Sequence, residues 1–496
     1  MREKVTLRLL CCCVIASLTL HGCQGTGGIG GFSSGLSAGN RSEGVQGKFI
    51  DAVLTDLNVD DESLSSAEQQ AAWDKDVGYI RYGNKTVANL PELQSYVNNV
   101  LASLRSSLPG NLVVAKVYVT PQKDFEAYTL EHGSIFISLG TLQSLDNEDE
   151  LAALLAHEYA HVLLNHHSKD TFEILTRYGM RYANIYLQAS ANSSKAQEKR
   201  MRTLQIANWV TDKALFPNWN KGQENDADIL AVDLVVQSNY NADAMTAMLK
   251  KVELTVLEKK AFVGQNPVKV TKTAKDQSKL NIDLDVLAAN AVGSLEHQLD
   301  RDYETAKVRQ KRVRDYLKQE YKDRPRPEYR TAVYLAHFQE QATKPRVSQY
   351  LSAHKAEQAL LLDNQGLKKA APLCQRALGG SLGEDPYARM LMYYIRNSQK
   401  HADKAQINLD KAYATGGAPM YTYELLVEQH MQRKQFEQAK VLLEEMDTEF
   451  GQPAEILPNM ISVQKQLGNF TSMYLLRCLA SGDVELIKQC NLASKS

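Results

Sequence analysis

The stretch Leu151-Ala-Ala-Leu-Leu-Ala-His157-Glu158-Tyr159-Ala160-His161 decides how the rest of the chain is read. Positions four apart lie one turn above each other on one face of a helix, so the imidazoles of His157 and His161 can reach a single ion. Glu158 stands beside them, within reach of a water in an open coordination position. Zinc lowers the pKa of such a water toward neutrality, and the glutamate can take its proton and pass it to a leaving amine. The pattern lies inside an apolar run, Leu151 to Leu164, which argues against a polar surface strip.

Zinc needs a third protein ligand, and a carboxylate from another helix is one solution. Glu224-Asn225-Asp226-Ala227-Asp228 supplies a candidate about sixty residues later in the sequence. Glu224 would bind the metal. Asp228, one turn along, could accept a hydrogen bond from a ligand histidine and fix its ring. Around these motifs, apolar spacing predicts helices over 90–108, 148–166, 172–186, 226–237 and 303–321. Residues Val113 to Thr120 and Ser134 to Leu139 read as strands. If the second of these is an edge strand, an extended peptide could pair with the backbone of Ser134, Ile135, Phe136 and Ile137.

The order Leu-Ala-Ala-x-Leu-Ala-His-Glu-x-x-His, then Glu-x-x-Ala-Asp, resembles peptidases related to the HtpX heat-shock protease and the CAAX prenyl protease. Ser134 to Gly140 fits the same resemblance, because that family has a strand there ending in a glycine before the active-site helix. In architecture the chain is similar to the BepA-like periplasmic metalloproteases, which join such a domain to tetratricopeptide repeats. The resemblance implies one zinc ion per chain, held by His157, His161 and Glu224, with Glu158 as catalytic base. It implies endoproteolysis in quality control of envelope or outer-membrane proteins, with unfolded or misassembled proteins as substrates. The family carries a histidine-proline pair with an arginine six residues after the histidine. Tyr303 and Arg309 stand in those places here, and a tyrosine hydroxyl can still donate to a developing oxyanion. Glu126-Ala127 replaces the family's asparagine-alanine. His166 matches a family position just past the motif and is expected to support the helix end.

Outside this region the sequence sets the context. With 496 residues, 44% hydrophobic and 23% charged, at a formal net charge of −1, the chain should hold more than one folded unit and has no general attraction to nucleic acid. Lys307, Arg309, Lys311, Arg312 and Arg314 form a basic stretch that reads as a solvated helix face. Arg2, Lys4 and Arg8 precede an apolar run from Leu9 to Leu20, which suits a secretory signal over residues 1–22. Leu20-His21-Gly22-Cys23 resembles a lipobox. The expectation is a lipid anchor on Cys23 and a place on the periplasmic side of the outer membrane, with a soluble periplasmic protein as the alternative. A glycine- and serine-rich start makes 23–66 a flexible tether. The metallopeptidase domain is then expected over 67–321 and a proline-bearing linker over 322–346.

From 347 to 490 the chain repeats. Ala371, Ala405 and Ala439 fall about 34 residues apart, as do Pro386, Pro419 and Pro453 to a close approximation. That period resembles the tetratricopeptide repeat, whose paired helices could dock a protein partner. Cys374, Cys478 and Cys490 have no metal-ligand spacing. In an oxidising compartment Cys478 and Cys490 could pair, but spacing leaves this open. The fold class that follows is mainly α with a small sheet (α+β): a zincin-type metalloprotease domain and an α-helical repeat domain. A second reading makes the repeats a chaperone-like or scaffold module with a latent metal site. The complete ligand set favours the first.

Overall fold

In a computed structural model, which describes residues 48–56, 65–106, 108, 112–166, 221–265, 305–362 and 366–495, the part that carries the histidine motif is built from helices around one small sheet. In chain order it runs α1 (Phe49–Asp56), α2 (Ser66–Tyr82), α3 (Pro91–Arg105), β1 (Lys116–Thr120), β2 (Ala127–Thr129), β3 (Ser134–Ser138), α4 (Leu139–Ser144), α5 (Glu148–Leu163), α6 (Lys221–Gln237) and α7 (Ala244–Gln265). A further helix, α8, covers 305–320. The sheet order is β1-β3-β2, with β3 parallel to β1 and antiparallel to β2. The expected edge strand, Ser134 to Ile137, is therefore internal and buried throughout. Its alternating isoleucines serve the core on one side and an aromatic layer on the other, where Phe136 stacks between Tyr118 and Tyr128. The open edge belongs to β2, a strand of three residues that apolar patterning does not reveal.

The helix α5 is buried along its whole length. That explains why Leu151 to Ala156 is apolar on every side rather than in a stripe. Asn147 caps its start, accepting from the Glu150 backbone at 2.9 Å. Its acidic first turn is consumed internally: Glu148 accepts from Tyr96 at 2.9 Å, and Asp149 from the backbones of Asn241 and Arg330 at 2.8 and 2.7 Å.

Two sequence boundaries need correction. Phe49, Ile50 and Val53 lie in the main core, so the expected tether over 23–66 contains a packed helix. Its burial of three large apolar side chains outweighs the low apolar content of what surrounds it. The expected linker over 322–346 is also structured. Thr331–Gln339 forms α9, and its Tyr334 is fully buried with its hydroxyl on the Leu142 carbonyl.

Asp233, on the face of α6 opposite Glu224, locks α1 and α8 to that helix. It accepts from the Ile50 backbone at 2.8 Å, from Tyr316 at 2.9 Å and from Tyr321 at 2.7 Å. Burial, only partly offset by these donors, raises its pKa to about 6. The folded state thus holds this proton more tightly than the unfolded chain. The associated stability is complete below about pH 4 and is lost as pH rises through about 6. We expect Asp233→Asn to remove a pH-dependent contribution of about 3 kcal/mol across that window. Urea denaturation of both proteins between pH 4 and 7 checks this, and parallel stability curves would refute it.

Beyond α9 come α10 (Thr343–Leu362), α11 (Gly366–Ala377), α12 (Pro386–Ser398), α13 (Ala402–Ala414), α14 (Met420–Gln432), α15 (Phe436–Glu449), α16 (Leu457–Gln466), α17 (Ser472–Ala480) and α18 (Val484–Lys495). The regularly spaced alanines sit on the second helix of successive pairs, with Ala405 and Ala439 buried where neighbouring helices meet. Pro386 opens α12, Pro419 caps α14, and Pro453 precedes the short 3₁₀ turn leading into α16. Cys478 and Cys490 are joined by a disulfide between α17 and α18. Cys374 is free and buried.

The tail is bonded to the helices and sheet that precede it. Buried Arg81 of α2 donates to the Ala418 carbonyl at 3.0 Å, to Tyr423 at 3.3 Å and to Glu449 at 2.6 Å. Arg346 pairs with Glu92 at 2.9 Å. Tyr350 accepts from the Asn89 backbone at 2.8 Å and donates to Asp385 at 2.6 Å.

Candidate metal centre

The fold brings His157, His161 and Glu224 together, with one ligand atom from each all lying within 4.8 Å of one another. The two histidines come from α5, and Glu224 from the first turn of α6, which packs alongside. His157 Nε2 and His161 Nε2 are 3.2 Å apart. Glu224 lies 3.5 Å from the first through Oε2 and 3.8 Å from the second through Oε1. Ligand atoms about 2.0–2.2 Å from a tetrahedral zinc stand roughly 3.3–3.6 Å apart, so this spacing fits. The donor chemistry fits too, since two imidazoles and one carboxylate leave a fourth position open, as hydrolytic zinc requires.

Around this triad the polar groups are organised. Asp228 Oδ1 is 3.1 Å from His157 Nδ1, close enough for an ion pair but off the line of a straight hydrogen bond. Arg309 of α8 donates from Nε and Nη2 to Asp228 at 2.7 and 2.8 Å, and its Nη1 meets Glu224 Oε2 at 2.6 Å. Arg309 thus ties Glu224 to Asp228 across one helical turn, and its guanidinium approaches His157 Nε2 at 3.4 Å. This corrects the reading of the basic stretch as wholly solvated. Lys307, Lys311, Arg312 and Arg314 are exposed, but Arg309 turns inward. Three carboxylate acceptor atoms, two of them on buried Asp228 in a bidentate geometry, offset the cost of burying its charge. Burial opposes ionisation of Asp228, yet Arg309 and His157 hold its carboxyl well below the usual aspartate range. Burial also opposes charge on His157, but Asp228 outweighs it and raises the pKa.

His166 lies beyond the helix end, which Asn165 terminates in a left-handed conformation at φ 49°. Its Nδ1 stands 3.0 Å from His161 Nδ1, on the side of the ring away from Glu224. It therefore orients the second ligand, much as Asp228 orients the first.

Glu158 is buried next to the triad. Its Oε2 accepts from Thr129 Oγ1 at 2.9 Å, and the same hydroxyl lies 3.1 Å from the Glu158 carbonyl. Burial raises its pKa above the ordinary glutamate value. A carboxylate made more basic in this way is a better proton acceptor near neutral pH. Thr129 had no signal in the sequence, because a threonine in a three-residue strand is unremarkable until the strand is placed. Tyr303, Cys23 and the expected helix over 172–186 lie outside the described residues.

A histidine pair on one buried helix, a carboxylate on a second and a free carboxylate between them define the metalloprotease class. Residues 88–312 match the model of peptidase family M48. Over 241 residues the chain is 22% identical to Metalloprotease YcaL of Escherichia coli (strain K12), covering 48% of this chain and 83% of that one. It is also 22% identical to Metalloprotease LoiP of the same organism over 279 residues, covering 56% of this chain and 98% of that one. The helices from 331 onward lie beyond the residues that match the family model.

Proposed function

We propose that the chain is a zinc-dependent endopeptidase of the bacterial cell envelope that cleaves extended segments of unfolded or misassembled envelope proteins. The observation carrying this reading is the juxtaposition of buried His157, His161 and Glu158 with the partly buried Glu224. Zinc held there would polarise a substrate carbonyl and make a water acidic enough to attack near neutral pH. Glu158 then takes a proton on its carboxylate and returns it to the departing amine. Asp228 and Arg309 keep His157 and Glu224 aimed inward, and His166 does the same for His161.

Substrate would add to the open edge of β2. Ladder alternation turns the backbone N–H and C=O of Ala127 and Thr129 away from β3. Neither residue has another backbone partner among the described residues. A peptide laid along this edge would pass beside Glu158, and only an unfolded segment can pair in that way. The paired tail helices are read as tetratricopeptide-like repeats, in keeping with BepA-like architecture. A lipid anchor on Cys23 at the periplasmic side of the outer membrane would place the enzyme among such substrates.

Metal analysis of the purified protein should give about one zinc per chain. Cleavage of casein should stop with a chelator and return with added zinc. A protein that binds no stoichiometric metal, or cleaves equally well in chelator, would overturn the assignment.

A further inference from the structure

The strand β2 is three residues long and has a partner on one side only. So short a strand does not hold its own position. Beyond its ladder to β3 and the Thr129 bond to Glu158, it is held through the irregular segment 121–126 that leads into it. One side of that segment is bound by the peptidase part: Ser138 Oγ donates to the Asp124 carbonyl at 2.6 Å, and Thr141 Oγ1 accepts from the Glu126 backbone at 2.6 Å. Lys85 pairs with Glu126 at 2.7 Å, with both side chains largely buried.

The other side is held by the tail. His354 of α10 is buried, and its Nε2 donates to the Pro121 carbonyl at 2.6 Å. Burial lowers the His354 pKa and so favours the neutral ring, while the carbonyl, which can only accept, takes its bond from the Nε2 proton. Nearby, Glu357 accepts from Tyr387 of α12 at 2.9 Å and faces Lys123 electrostatically. The segment is clamped between two parts of the chain separated by more than two hundred residues.

We propose that the helical tail is a positioning element of the metal centre: through His354 it fixes the segment 121–126, and thereby sets Thr129 and the open edge of β2 against Glu158. This rests on the endopeptidase reading for its catalytic consequence, but the mechanical link stands apart from it. A tail that only captured substrates would affect long proteins and leave a short peptide untouched. A tail that positions β2 changes turnover of a peptide too small to reach it.

The test uses the full-length, zinc-loaded chain with His354→Ala, His354→Leu and His354→Gln. Leucine fills the space without a donor, should the alanine variant fold poorly, and glutamine restores an N–H. Hydrogen exchange over residues 122–130 should quicken about tenfold in the alanine and leucine variants and return toward normal with glutamine. Zinc content should not change. With a peptide of about eight residues, kcat should fall roughly three- to tenfold while KM stays nearly constant. Unchanged exchange over 122–130 would overturn the proposal, as would a rise in KM alone. If the parent protein cleaves nothing, the endopeptidase reading fails, while the exchange result still decides whether the tail holds this segment.

Discussion

Replacing Glu158 with glutamine is expected to leave a folded, zinc-loaded protein whose turnover falls by about 10²–10⁴-fold. The fold should survive because the amide oxygen can still accept from Thr129, which lies 2.9 Å from the carboxylate. The metal should stay because His157, His161 and Glu224 are untouched. What disappears is the proton acceptor, and an amide cannot replace it at neutral pH. Zinc quantification beside kcat for a short peptide separates the two effects. Turnover within tenfold of the parent would show that another group carries the proton. Loss of zinc in the variant would show instead that Glu158 helps to hold the metal.

Gly140→Ala is expected to cost about 3 kcal/mol or more in stability, a large figure for one methyl group on a helix. A Cβ at Gly140 would stand 1.9 Å from the Lys123 carbonyl oxygen and 2.3 Å from its carbon. Both are backbone atoms, so no side-chain rotation relieves the clash. The segment cannot drift away, since the Gly140 backbone donates to the Gln122 carbonyl at 3.0 Å and Ser138 holds the Asp124 carbonyl. Elsewhere in a helix this exchange is ordinarily favourable, because alanine restricts the unfolded chain. Chemical denaturation measures the difference. An alanine variant as stable as the parent would mean that the segment before β2 is free to move, contrary to the observed clamp.

The metal ligands were legible in the sequence because their chemistry demands fixed residue types at fixed helical offsets. His157, Glu158 and His161 announce one helix, and Glu224 with Asp228 announce another. Of the expected helices, those over 90–108, 148–166 and 303–321 end within a few residues of the observed ones, while α6 begins at Lys221, ahead of the expected 226, and α7 gave no clear apolar signal. The strand β3 was found but misplaced, since a short run of isoleucines reads the same at an edge and in the middle of a sheet. Partner strands decide that question, and β2 was too short to see. Helix α1 was hidden by the glycine-rich composition before it, although Phe49, Ile50 and Val53 are core residues. Arg309 carried two readings, one more cation in a solvated row and, by the family resemblance, the arginine that stands near the metal; the structure supports the second. Only the arrival of Asp228 and Glu224 from a distant helix gives it buried partners. Gly140 was visible as a glycine at a strand end, while its reason, the crossing of residues 122–124, is a tertiary fact.

Arg81 finds its acceptors 337 and 368 positions further along the chain. During synthesis, helix α2 is finished long before residues 418 and 449 leave the ribosome, and its guanidinium waits with nothing to neutralise it. Assembly at this seam is therefore a late event with a large loop-closure cost. A chain that stops short of residue 418 therefore carries both histidines and their glutamate while this seam stands open and its buried arginine faces water.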